Sequence, residues 1–117
     1  MDLHDLVEAI IAGDLLTARQ WVADARREQL NWQDLPCPGD LSGREMIVAA
    51  GLVELFAGRA GELPPAWTNG VGAEREPVLL DPGLEQMPRS FAYAKSSGPE
   101  PLRKRNLLAL PDFLDVA

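Results

Sequence analysis

A chain of 117 residues has room for one core and not two, because a domain of this size buries about two-thirds of the surface its unfolded chain exposes. A composition 46% hydrophobic and 25% charged sits near the globular average, which excludes an intrinsically disordered tail and a membrane-embedded protein. Eleven Lys and Arg against eighteen Asp and Glu leave a net charge of −7, which opposes nonspecific attraction to phosphate and anionic lipid and so argues against nucleic-acid and membrane partners.

The longest mainly apolar stretch, Met46 to Ala60, contains Glu54 and Arg59 and falls short of the roughly 20 residues that cross a bilayer. The sequence opens Met-Asp-Leu-His-Asp, acidic where a secretory signal is basic, and its one cysteine, Cys37, has no internal disulfide partner. Together these features predict a cytoplasmic protein.

Leu3, Leu6, Val7, Ile10 and Ile11 recur at helical spacing and predict a first helix capped by Asp2. Gly13 stops it in the left-handed position that favours glycine, and Asp14 caps a second helix to about Glu28, with Leu15, Ala18, Trp21, Val22 and Ala25 inward and Arg19, Arg26 and Arg27 toward solvent. The tight link makes a helical hairpin. Its Ala-Gly-Asp-Leu turn resembles one unit of an ankyrin-like array, but no second copy follows at a period of about 33 residues, so a solenoid is rejected.

Residues 31 to 43, with Pro36, Pro38, Gly39 and Gly43, predict a loop from which Trp32 and Leu35 can plug the core. Ser42-Gly-Arg-Glu45 has the spacing of a capping box and predicts the start of a third helix that runs to about Ala60 and stops at Gly61. Its apolar residues cover most of the circumference, which makes it the buried central helix. Gly51 and Gly58 each weaken it by about 1 kcal/mol relative to alanine, so close approach of a neighbour is expected at both.

Seven of the ten prolines fall from Pro65 onward, and regular structure is expected to become short. Thr68-Asn-Gly70 reads as a turn, and Glu76 to Pro82 as an extended piece. Gly83 to Ser97 can hold one amphipathic helix, with Leu84, Met87, Phe91 and Ala94 spaced for one face, although Pro88 restricts its start to near that point. Pro101 to Asn106 can form a brief helical turn, Leu107 to Leu110 a short apolar run, and Pro111 the first turn of a last helix carrying Phe113, Leu114 and Val116. The expected fold is mainly α: one domain over residues 1–117, with residues 1–61 as helical core and a Pro-rich half, residues 62–117, wrapping it.

Residues suited to chemistry are sparse. His4 is the only histidine, and a general base needs a positioned partner that no serine or cysteine supplies from the sequence. One histidine and one cysteine about thirty residues apart match no zinc spacing, and there is no EF-hand loop or phosphate-cradling glycine loop. Neither cofactor, metal nor catalytic activity is therefore expected. Cys37, between two prolines, would be reactive only if exposed beside a cation, and reads instead as a small apolar plug. Two or all three of Trp21, Trp32 and Trp67 read as core anchors whose indole N–H groups seek acceptors.

Arg103-Lys-Arg105 is the one dense basic cluster. It lies in the nearly neutral part of the chain: residues 65–117 carry six cations against seven carboxylates, net −1, whereas residues 1–64 carry five against eleven, net −6. A nucleic-acid-associated regulator using these three cations is the alternative to a protein-binding role, and it would show steep salt dependence.

The C-terminal stretch, through Pro99, Leu102, Arg103, Arg105, Asn106, Leu107, Leu114 and Ala117, resembles the ending of small bacterial proteins that carry Arg-x-Arg-Asn, an apolar triplet and a closing Leu-x-x-Ala. Pro65-Ala-Trp-Thr68 resembles the Pro-x-Trp-Thr of the same proteins, so the resemblance spans about half the chain. Such proteins are often encoded beside nucleotidyltransferase-type toxins. The resemblance implies an antitoxin-like or accessory protein that binds a toxin-like enzyme and is not itself an enzyme.

The expected partner-binding residues are Arg103, Arg105, Asn106, Leu107, Leu108, Leu110 and Phe113. Two readings of this apolar run stand side by side. It packs on the chain's own helices, or part of it stays as an exposed patch or edge strand, rimmed by Arg105 and Asp112 and covered only in a complex.

Overall fold

The computed structural model describes residues 2–115. Two helices, α1 (Leu3–Ile11) and α2 (Leu15–Arg27), form the hairpin. Each starts on an aspartate: Asp2 accepts the His4 amide at 2.9 Å, and Asp14 accepts the Thr17 amide at 3.1 Å and the Thr17 hydroxyl at 2.6 Å. These two bonds from Thr17 hold the Asp14 carboxyl below its ordinary value. Gly13, at φ +77°, closes α1, and the Asp14 amide then reaches back to the Ala9 carbonyl at 2.9 Å.

The third helix, α3 (Arg44–Arg59), is central, with Val48 through Ala57 buried without interruption. A helix enclosed on all sides must carry apolar residues all round, and this one does so except at Glu54. The hairpin packs on α3 through Leu6, Val7 and Ile10 of α1, while Ala18, Val22 and Ala25 of α2 join the same core. Trp32 plugs in as its spacing predicts, its ring 5.2 Å from that of Phe56 and 6.0 Å from that of Trp21.

Three expectations fail around this core. The capping box does not form: Gly43 is the N-cap, at φ +58° and ψ −131°, with no side-chain cap bond. That backbone conformation is open to glycine, and it displaces Ser42 one position beyond the helix end. Gly58 has no neighbour within 4 Å of where a Cβ would stand, so its predicted close approach holds only at Gly51, which faces Leu102 and Leu107. Cys37 is exposed and plugs nothing.

The second half wraps the first with short pieces. A 3₁₀ turn, Ala66–Gly70, buries Thr68, and the half-buried Trp67 donates its indole N–H to the Leu35 carbonyl at 3.0 Å. Then come β1 (Val78–Leu79), a 3₁₀ turn at Pro82–Gln86, α4 (Pro88–Ser97), α5 (Glu100–Arg103) and β2 (Leu107–Leu108). Helix α4 starts at Pro88, the place the proline dictates. The two strands pair in parallel, Val78 opposite Leu107 and Leu79 opposite Leu108, which the crossover through α4 and α5 makes possible.

Leu84, Ala94 and Leu108 form a small second core under this crossover. The predicted last helix is absent among the described residues: residues 111–114 are turns, with Leu114 at φ +53°, so Phe113 and Leu114 reach the core from a turn. Val116, assigned to that helix by its spacing, lies outside the described residues.

Candidate functional site

The C-terminal segment singled out by the sequence is mostly interior. Leu107, Leu108 and Phe113 are only 1%, 2% and 5% exposed, Leu110 is half-buried against the second core, and Leu107 packs beside Leu102 against α3. Of the two readings of this run, the structure takes the packed one. Asn106 is half-buried at φ +65°, a conformation asparagine tolerates, and its side-chain amide donates to the Glu74 carbonyl at 3.2 Å.

The basic cluster divides rather than forming a patch. Arg103 is exposed and donates to the Ser96 carbonyl at 2.9 Å. Lys104 sets its ammonium 2.9 Å from Glu54. Arg105, 3% exposed, grips both oxygens of Glu54 at 2.6 and 3.1 Å and donates to the carbonyls of Thr68 at 2.9 Å and Pro101 at 3.2 Å. Its Nε is buried without a partner among the described residues.

Burial alone would push the Glu54 carboxyl up. The hydrogen bonds from Arg105, Lys104 and Thr68 and the Arg105 charge outweigh it and bring it down to about 2. The cluster therefore joins α3, the 66–70 turn and the C-terminal segment by a charge-assisted fork, and Arg105 presents no guanidinium to a phosphate.

A second cationic clamp lies at the C-terminal end of α3. Arg59 lies over the Phe56 ring at 5.6 Å and donates to the carbonyls of Phe113 at 2.7 Å and Pro111 at 3.2 Å. Burial draws its pKa below the usual arginine value, and Asp115 and Asp112 work against that shift.

Sequence reasoning missed Glu54 as a partner of Arg105. The signal was present: a carboxylate within an otherwise apolar stretch of a buried helix requires a cation, and the chain has one dense source of them.

The outward face of the hairpin is acidic. Asp5, Glu8, Asp14 and Asp24 line a groove of about 510 Å³ between α1 and α2, over a floor that includes Ala9, Ala12 and Trp21. No Lys, Arg or His is among its lining residues, although Arg27 pairs with Asp24 and His4 stands 3.6 Å from Glu8 and 3.9 Å from Asp40. His4, Asp5 and Glu8, over the first two turns of α1, bring one donor atom each within 4.8 Å of one another, His4 half-buried and the two carboxylates exposed. His4 thus has carboxylates beside it.

No family model matches the chain, and no curated protein or solved structure is significantly similar to it. The residues and their geometry therefore carry the functional reading.

Proposed function

We propose that this chain is a small non-catalytic protein-binding module of the cytoplasm, the antitoxin-like half of a two-gene bacterial system, and that it meets a basic partner through the outward face of the α1–α2 hairpin. The observation that carries the reading is the groove itself: four carboxylates over an apolar and aromatic floor, in the half of the chain with net charge −6. Such a surface attracts a cationic segment at long range and offers the Trp21 ring and alanine floor at short range. The antitoxin-like part rests on the resemblance of the C-terminal stretch, and a toxin-like enzyme is the partner it implies.

The C-terminal residues have a different part in this proposal from the one their composition suggests. Arg105, Leu107, Leu108 and Phe113 hold the fold that presents the hairpin, and Arg103 and Lys104 are the members of the basic cluster left at the surface, Lys104 paired with Glu54. The nucleic-acid alternative is the weaker reading, since Glu54 pairs with Lys104 and holds Arg105 in the interior, two of the three cations it would use.

The test is purification of the native protein with whatever binds it stoichiometrically, followed by affinity measurements on two variants. Asp5→Asn/Glu8→Gln is expected to weaken binding about tenfold or more, equivalent to about 1.4 kcal/mol. The control Glu85→Gln/Glu100→Gln removes two exposed carboxylates from the other half and is expected to leave binding near wild type. Equal losses in both variants would mean that net charge alone acts. A chain that elutes alone from its native cells at low salt, with no partner at any stage, would overturn the binding role.

A further inference from the structure

We draw no further inference here: the strongest candidate, the cleft of about 620 Å³ between the C-terminal ends of α2 and α3 walled by Trp32, Phe56 and Arg59, carries arginines and carboxylates together on its lining, and nothing in the structure shows what covers it.

Discussion

In residues 3–61 the chain buries periodic apolar stripes of three helices, whereas residues 62–115 hold their place through single contacts that no periodicity announces. The first half meets itself through Leu6, Val7, Ile10, Val22, Val48 and Leu52. The second is tied down by Arg105 on Glu54, Arg59 on two carbonyls, Trp67 on the Leu35 carbonyl, and a two-residue strand pair. Each tie reaches from one half into the other, except the strand pair. The difference teaches that the helical half is not a finished domain: the face of α3 that carries Gly51 and Glu54 is covered only by the second half.

The largest expected effect follows from that dependence. A chain ending at Leu102 loses Leu107, Ala109, Phe113 and Leu114 from the main core and, with Lys104 and Arg105, both cations of Glu54. Uncovering this much apolar surface in so small a domain is expected to abolish cooperative unfolding, read by circular dichroism and heat capacity. If residues 1–102 melt cooperatively near the wild-type Tm, the halves are independent and the C-terminal segment becomes a docking element again.

The next effect isolates one tie. Arg105→Met leaves Glu54 buried with Lys104 alone and is expected to cost about 3 kcal/mol, the low end for breaking a buried pair because Lys104 remains within 2.9 Å. The double variant Glu54→Leu/Arg105→Met removes both charges and should recover at least half of that loss in denaturant unfolding. A double variant as unstable as the single one would show that the methylene packing and carbonyl bonds of Arg105, and not its charge, hold the strap.

How much of this was legible depended on which half carried it. Helices α1 and α2, with their aspartate caps and the Gly13 stop, follow from spacing alone, because one amphipathic stripe and one cap specify one helix. The central place of α3 was equally plain. Its N-terminus was not: Ser42 and Glu45 have capping-box spacing, yet the φ and ψ of Gly43, set by the incoming loop, govern the helix end. In the second half Pro88 and the extended character around Val78 could be read locally.

The pairing of Val78 with Leu107, and of Arg105 with a glutamate 51 residues away, are long-range choices that the local pattern does not encode. Leu107-Leu-Ala-Leu110 showed the same ambiguity, since four apolar residues in a row suit a buried strand and an interface alike. The acidic groove was legible only as a charge imbalance, because the approach of α1 to α2 decides which carboxylates share a surface.

A smaller effect has a pH signature. Unfolded, Glu54 titrates near 4.5; folded, it lies at about 2. Because the folded value is the lower one, the stabilisation from its ionised form is complete above about pH 4.5 and is lost as the pH falls from there toward 2. Melting curves taken from pH 7 to pH 2 should therefore fall more steeply through this window for the wild type than for Glu54→Leu/Arg105→Met, which lacks the titrating pair. Parallel curves would remove Glu54 from the acid response and leave it to other carboxylates such as Asp14, whose pKa is also lowered.

The smallest effect compares two glycines seven residues apart on α3. At Gly51 an added Cβ would stand 2.9 Å from Leu102 Cδ2 and 3.1 Å from Leu107 Cδ1, both on fully buried side chains from the second half. Those methyls are ends of flexible side chains, but the core around them leaves little room to turn, so strain should exceed the helix-propensity gain of about 1 kcal/mol that alanine brings. Gly58 has nothing within 4 Å and lies at the exposed end of the helix, so the same substitution there should return that gain of up to about 1 kcal/mol with no strain. Gly51→Ala is thus expected to lower stability by about 1 kcal/mol and Gly58→Ala to raise it by somewhat less, read from urea midpoints at constant slope. Two variants shifted upward together would mean that the second half yields to α3 at Gly51, and that this contact is looser than the tie at Glu54 one helical turn away.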